Sequence, residues 1–277
     1  MIWTRRGGGY LALVAPLPIF LALAYGLPFL GVAGWSLTLP EPGLAQYARV
    51  FTDPIVQGVL VRTLRICAVV TIATTVAAYA LAYVWVRGSP RQRTFVEFCI
   101  LVPFWISTLT RAFGWLVLLY NRGLVNSWLQ ALGAIDAPLT MVRNEFGVIV
   151  GMTHFLIPFA VFPIASAMRH VDERVLLASR GMGASRLRTF WSVFLPMTMP
   201  GIFGAGLIVF VFSLGFFITP AILGGGRSVM AAEFVYVQLF QTANWGLAAA
   251  ISVVLVAIVA VLVALLFRLT RVEKLVG

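Results

Sequence analysis

The chain has 277 residues, 61% of them hydrophobic and 10% charged, with a mean hydropathy of +0.99. A soluble domain is nearer half apolar and a quarter charged, so these values exclude one and indicate a polytopic membrane protein. The net charge of +11 fits a membrane surface better than nucleic acid, because the basic residues cluster at the ends of the apolar runs.

Six spans are expected in an all-α fold. Met1–Gly9 is short and holds Arg5 and Arg6. The first apolar run goes from about Tyr10 to Gly34. It is too long for the apolar region of a signal peptide, contains Pro16, Pro18 and Pro28, and lacks a clear small-residue cleavage site. It reads as a retained, kinked helix. Leu39–Asp53 is a polar loop. The second span is expected over Leu60–Val86, with Arg62 and Arg65 at its outer end. Arg87 to Arg93 makes a tight basic turn. The third span is expected over Phe95–Tyr120, and Asn121–Asn144 is a longer loop. Trp115, Tyr120 and Trp128 suit interfacial anchors.

The fourth span is expected over Phe146–Met168 and is followed by the polar loop Arg169–Ser192. The fifth, Met197–Leu223, carries Gly201, Gly204, Gly206 and Gly215, whose small size lets helices approach closely. Ser228–Trp245 has room for a surface helix. The sixth span, Gly246–Phe267, is apolar throughout. Cys67 and Cys99 both fall inside apolar segments and read as small core residues, not as a disulfide or a metal site.

The charges orient these spans. Thirteen of the twenty lysines and arginines lie on the side of the N-terminus and six on the other, with Arg111 inside the third span. The positive-inside rule then places both termini and the Arg169–Ser192 loop in the cytoplasm. No second domain and no internal repeat is evident, so residues 1–277 read as one transmembrane domain.

The stretch Leu177–Pro200 is polar at its start and apolar at its end. Val175, Leu176, Leu177 and Ala178 form an apolar patch between Asp172, Glu173 and Arg174 on one side and Arg180 on the other. That pattern describes a short amphipathic helix with an acidic start and a basic end. Gly181 and Gly183 would interrupt it. Pro196 and Pro200 suit the first turn of the next helix.

Several chemistries are missing. The single lysine, Lys274, cannot complete a Gly-x4-Gly-Lys-Ser/Thr phosphate loop, so ATP would have to be hydrolysed by another chain. His154 and His170 are too few for a typical metal cluster. An intramembrane serine protease would need a serine and a histidine facing each other at membrane depth. Ser213 is in a span and His154 could face it, but nothing else in the sequence supports the pair.

Ionisable groups inside a span are costly and need a partner or a role. Arg111 has two readings, a pathway residue or a structural partner of carbonyls or of an acid from a neighbouring subunit. Glu97 is expected to snorkel or to pair with Arg93 one turn away. His154 reads first as a satisfied buried histidine.

Leu177-Ala178-Ser179, then Gly183 after three residues, then Val193 to Pro196 after nine more, resembles the EAA loop, EAA-x3-G-x9-I-x-L-P. That loop is found in membrane subunits of binding-protein-dependent ABC importers. Leu177 stands where the motif has glutamate, and Ser179 where it has its second alanine. Val102-Pro103-Phe104-Trp105, Arg111, Tyr120 to Asn126, Leu195 to Gly201 and Leu223-Gly224-Gly225 extend the resemblance to spermidine/putrescine-type permeases, over about Phe51 to Phe267.

The resemblance implies a type I ABC importer permease fold with cytoplasmic coupling helices in the loop 169–196. Leu176, Leu177, Ala178, Ser179, Gly183, Ala184, Ser185, Leu195 and Pro196 would serve ATPase coupling, with the glycine at the turn between two short helices. Spans three to five would line a solute path, with Arg111, Trp105, His154 and Ser213 as candidates. The implied partners are a second permease subunit, an ATPase dimer carrying ATP and Mg, a periplasmic solute-binding protein and membrane lipid, in a bacterial inner membrane. No cofactor is expected on this chain. The implied solute is a polyamine or a similar small molecule, or else an amino-acid derivative or opine. Glu97 is the only acid within a span, so no buried acidic pair offers to receive a polycation. A non-transport membrane enzyme is the remaining alternative.

Overall fold

A computed structural model describes residues 14–276. The described residues are almost wholly helical, with no strand among them. In chain order the helices are α1 (Pro16–Thr38), α2 (Ala45–Thr52), α3 (Pro54–Arg87), α4 (Pro90–Trp105), α5 (Thr108–Leu119), α6 (Leu124–Ala131), α7 (Glu145–Arg169), α8 (Glu173–Gly181), α9 (Arg186–Leu214), α10 (Ala231–Phe240) and α11 (Trp245–Val276). Five are long and apolar enough to cross a membrane, and the count is six with the bent pair α4 and α5–α6 taken as one broken span.

The elements follow the expected spans, but the expected loops 39–53 and 121–144 each hold a short helix (α2 and α6), α3 starts at Pro54 instead of Leu60, and the first, third and fifth spans differ as well. The Tyr10 start of the first span, with Arg5 and Arg6, lies outside the described residues, and α1 runs on to Thr38. The third span is not one straight helix. It breaks at Ile106 and Ser107 and bends by 109°. Pro103 cannot donate to the backbone ladder, and Ile106 and Ser107 take extended angles. The fifth span begins earlier, at Arg186, and ends at Leu214 instead of Leu223. Its backbone widens into a π turn over Phe190–Phe194 just ahead of Pro196, so Pro196 and Pro200 continue a helix already under way. A π turn re-registers the ladder where a proline removes a donor. A second π turn, Pro220–Gly224, follows after a break at Gly215.

The described residues fall into two compact units. One comprises residues 14–57 and Val235–Ala257. Here Ser36 is the one buried residue of α1, and most of the helix is exposed. Leu17, Phe20, Leu27 and Leu30 face outward, as suits a helix in lipid. Ser36 donates to the Ala33 carbonyl and shares a hydrogen bond with the Tyr47 hydroxyl on α2. Trp35 meets Trp245 edge to face at 5.5 Å. Asn244 caps α11 by accepting from the Leu247 N–H.

The other unit comprises Gly58–Phe234 and 258–276. Its centre is α7, capped by the Asn144 side chain accepting from the Gly147 N–H. Val148, Met152, Leu156, Ile164 and Met168 on α7 are fully buried. Gly201 on α9 has no room for a Cβ, because Ala167 and the Pro163 carbonyl of α7 are already there. In a membrane, where apolar burial gives little drive, such close packing holds helices together. Gly204 has open space around it and Gly206 only ordinary contacts, so the expected glycine-mediated approach rests on Gly201.

Near the N-terminal ends of α3 and α7, Arg65 donates to both oxygens of Glu145, and Arg62 lies 3.7 Å from the same carboxylate. Glu145 sits in the first turn of α7, where the helix dipole favours an acid. Buried Asn126 staples the segment between α5 and α7. Its amide donates to the Tyr120 and Leu139 carbonyls, and its oxygen accepts from the Leu139 N–H. Near the C-terminal end of α3, Glu97 does not pair with Arg93. It accepts from the Trp85 indole at 2.7 Å, while Arg93 folds back onto the Gly88 and Val86 carbonyls. They lie in the last turn of α3 and just past its end, where carbonyls lack intrahelical donors and a guanidinium satisfies them.

Candidate functional site

Two places concentrate the candidate residues. The first is the loop between α7 and α9. Asp172 caps α8 by accepting from the Arg174 N–H at 2.8 Å. Glu173, in the first turn, pairs with Arg87 of α3 at 2.7 Å. After Gly181 the chain reverses, with the Gly183 N–H bonded to the Arg180 carbonyl and the Ala184 N–H to the Ser179 carbonyl. Gly183 has φ +89, a conformation that costs any residue with a Cβ. Ser185 then caps α9 by accepting from the Arg188 N–H. Gly183 stands at the turn, as expected, but only the first of the two expected short helices is separate: the segment after Ser185 runs on without a break into the rest of α9.

The coupling candidates divide by burial. Leu176 is buried, as is Ser179, whose hydroxyl lies 3.2 Å from that of Thr189 on α9. These two close the loop's own core, and Ala184 is half-buried. Leu177 is 63% exposed and Met182 84% exposed, and Ala178, Gly183, Ser185 and Leu187 are exposed too. The loop thus presents an apolar crest outward while its polar links point inward. Further along α9, Leu195 is half-buried and Pro196 exposed.

Beneath the crest, sequence reasoning missed an aromatic bearing. Tyr83 meets Phe190 and Phe194 edge to face, each at 5.8 Å, and Arg87 sits 5.3 Å from the Phe194 ring centroid. Tyr79 and Tyr83 on α3, like Phe190 and Phe194 on α9, are four residues apart, which places each pair on one helix face. Tyr83, Arg87, Arg180 and Arg186 line a cleft of about 300 Å³ there.

The second place is the face of α7 turned to α4, α5 and α9. Phe155 and Phe159, one turn apart, stack with centroids 6.0 Å apart. Phe104 of α4 reaches Phe159 at 5.7 Å, Phe212 of α9 reaches Phe159 at 4.9 Å, and Phe216 reaches Phe155 at 5.0 Å. This ladder was also missed, although the 155/159 and 212/216 spacings carry it. Arg111 lies on its wall, with Cζ 4.0 Å from the Phe155 centroid. One turn on, the Trp115 indole donates to His154 Nδ1 at 3.2 Å.

Arg111 and His154 are thus brought onto one surface. Trp105 is 84% exposed at the break in the span, edge-on to Phe104. Ser213 is buried, and its hydroxyl donates to the Phe210 carbonyl of its own helix at 2.8 Å. Ser213 and His154 are each engaged elsewhere and do not form a nucleophile–base pair. Among the described residues no group of histidines, cysteines or acids could hold a metal ion.

Residues 72–272 match the family model for a binding-protein-dependent transport system inner membrane component. The spermidine/putrescine transport system permease protein PotB of Escherichia coli (strain K12) is 30% identical over 263 residues, covering 95% of this chain and 94% of its own. The inner membrane ABC transporter permease protein YdcU of the same organism is 30% identical over 248 residues, covering 85% and 79%. A solved bacterial alginate ABC transporter, in complex with an alginate pentasaccharide-bound periplasmic protein, superposes with a TM-score of 0.79 at 17% identity, over 98% of this chain and 97% of that one. At that identity the likeness establishes the fold. The inward-facing MetNI methionine ABC transporter superposes at 0.55 with 18% identity, over 80% and 98%. The expected importer-permease fold is the observed one. With a family match over most of its length and relatives aligned nearly end to end, this chain belongs to the binding-protein-dependent transport system inner membrane components, a membrane subunit of a transport machine and not an enzyme.

Proposed function

We propose that this chain is one of two permease subunits of an ABC importer for a small organic solute. Residues 1–277 act as a single permease domain, with both termini and the loop 169–196 in the cytoplasm. An ATPase dimer, carrying ATP and Mg, engages the loop. A periplasmic binding protein delivers the solute to the outer face. The permease pair encloses the path within the lipid of a bacterial inner membrane. The chain itself binds no cofactor and no nucleic acid.

The observation that carries this reading is the loop's division of labour. Leu176 and the Ser179–Thr189 contact close its interior, yet Leu177, Met182 and Leu187 remain exposed on a segment with a basic, water-facing composition. An apolar crest held on the short helix α8, braced against the first turns of α9, suits a groove on another protein. In operation, ATP binding would draw the two crests of the permease pair together, and α8 would push on α3 and α9 through Arg87, Thr189 and Phe194.

Tagged chain, expressed with its neighbouring subunits and purified in mild detergent, should bring an ATPase with it. That ATPase should be stimulated by the loaded binding protein. A chain that purifies without any ATPase would count against the reading. For the solute, likeness to PotB supports a polyamine. A second reading, a solute of another class, is favoured by one observation: the cation in the aromatic lining is Arg111, with no acid beside it among the described residues.

A further inference from the structure

Helices α3 and α9 run antiparallel along a shared seam. Tyr83 meets Phe190 and Phe194, the Tyr79 hydroxyl lies 3.2 Å from that of Thr198, and a Cβ at Gly206 would meet Thr71 and Thr75 at 3.7 and 3.9 Å. Two openings of opposite character lie on this seam. Neither shares a residue with the aromatic ladder around Phe155 and Phe159.

The first is the cleft of about 300 Å³ beside α8, where Arg87, Arg180 and Arg186 converge. Only Arg87 has an acid, Glu173. Arg180 and Arg186 are exposed and make no ion pair among the described residues. Like charges lining one concavity repel each other and concentrate anions there. Guanidinium forks match phosphate oxygens two at a time. The cleft also sits at the level of a membrane surface. Arg87 is the last residue of α3, Arg169 lies over the Trp85 ring at 4.8 Å, and Trp191 is exposed beside Phe190. Tryptophans and arginines at a span's end mark the headgroup layer.

The second opening is an apolar groove of about 450 Å³ farther along the seam, lined by Ile72, Val76, Ile202, Phe203, Gly206 and Leu207. Ile72, Val76 and Tyr83 are exposed on one face of α3, because steps of four and seven residues are close to whole turns. At 1.5 Å per residue, the groove spans the depth from about 10 to about 16 Å beyond Tyr83. A charged cleft at headgroup level that leads to an apolar groove on the same helix pair has the form of a single amphiphile. A neighbouring protein helix would fill the groove and leave the guanidiniums without an anion.

We infer that the α3–α9 seam binds an anionic phospholipid, with its phosphate in the arginine cleft and one acyl chain in the groove. Basic pockets between spans suit such headgroups. Leu176 and Thr189 of the loop's interior also line the cleft, so the headgroup lies directly against the coupling loop. The site stands whichever solute is carried.

The test uses the complete importer, purified in mild detergent and equilibrated with equal amounts of phosphatidylglycerol and phosphatidylcholine of matched chains. Lipid retained per complex is counted by native mass spectrometry. Wild type is compared with the double variant Arg180→Gln, Arg186→Gln and with Gly206→Leu, so that the difference reads this chain's site and not lipid held by other subunits. A further sample of wild type receives millimolar inorganic phosphate.

Wild type should retain phosphatidylglycerol in preference to phosphatidylcholine. The double arginine variant should lower that preference about tenfold or more, the scale of two arginines at an anionic surface. Gly206→Leu, which places a side chain in the groove, should reduce retention of both lipids alike. Inorganic phosphate should leave the retained lipid in place. Equal retention of the two lipids by wild type, or an unchanged preference in the double variant, overturns the inference. Displacement of the lipid by phosphate makes the cleft a site for free anions and also overturns it. Release of the second permease subunit by Gly206→Leu would give the groove to that subunit, with the same consequence. Arg180 and Arg186 are exposed, so their replacement spares the fold, and that arm reads the headgroup even where Gly206→Leu fails to fold.

Discussion

Arg87 and Glu173 join the last turn of α3 to the first turn of α8, with Nη1 and Oε1 2.7 Å apart. The Glu173 side chain is 76% exposed, so the pair alone is worth little, under about 1 kcal/mol. Arg87 has a second role that Glu173 does not, since it also lies over the Phe194 ring. Arg87→Ala should therefore lower the thermal midpoint of the purified complex more than Glu173→Gln, by the further ~0.5–1 kcal/mol of a cation–π contact. Equal effects of the two changes would mean that the Phe194 contact contributes nothing.

Topology can be read by labelling. Cys67 is buried and Cys99 exposed, so a Cys67→Ala, Cys99→Ala background is needed. Ser179 is a poor reporter because its side chain is buried against Thr189. Met182 at the α8 turn, 84% exposed, and Leu132 after α6, 80% exposed, are good ones. Met182→Cys should react with an impermeant maleimide only in inverted vesicles, and Leu132→Cys only in intact spheroplasts. Periplasmic labelling at 182 would reverse the orientation.

What was legible in the sequence, and what was not, divides along physical lines. The spans were legible because a membrane demands about 20 apolar residues per crossing, and their ends carry arginines. The loop was legible because Asp172, Ser185 and Gly183 each do local work that residue type announces. The break at Ile106 and Ser107 was not, since Val102 to Leu109 is as apolar as a continuous helix, and only Pro103 hinted at it. The early start of α9 was hidden because Arg186 and Arg188 read as loop, although they belong to a helix that leaves the membrane intact. Trp85 taking Glu97 from Arg93 was equally hidden, because partners on different helices cannot be ranked by spacing. Arg111 was conspicuous as a charge, but its bed on Phe155 and the absence of an ion-pair partner among the described residues are facts of packing.

Glu233, in the first turn of α10, is half-buried, and its Oε2 has no hydrogen-bond partner among the described residues. Burial raises the proton affinity of this carboxyl above the ordinary glutamate value. A group whose folded pKa is raised gives stability that is complete below its unfolded value, about 4.3, and lost as pH rises through the folded value. Ionised Glu233 is thus a cost at neutral pH. Glu233→Gln should raise the thermal midpoint at neutral pH, and the gap to wild type should close as pH falls towards about 4.3. A gap that does not vary with pH would show that the effect is packing and not ionisation.

Neighbouring leucines give the sharpest test of the loop. Leu176 is buried within it and Leu177 faces outward. Leu176→Asp should unfold the loop itself, since a charge would enter an apolar contact. Leu177→Asp should leave the isolated permease as stable as wild type and fail only on assembly. Burying one leucine in a partner's groove is worth roughly 1.5–3 kcal/mol, or about 10- to 150-fold in affinity for the ATPase. Leu177→Glu should be milder, because the EAA pattern carries glutamate at this position and its longer stem can reach water. Gly183→Val tests the turn separately. A Cβ there meets nothing within 4 Å, so the penalty is backbone strain alone, about 1–2 kcal/mol at φ +89. That is too little to unfold a spanning domain and enough to re-aim α8 against α9. ATPase co-purification and solute-stimulated hydrolysis in reconstituted membranes should both fall in Leu177→Asp, and coupling should fall in Gly183→Val with attachment largely kept. Normal coupling in both variants would show that the ATPase docks somewhere else.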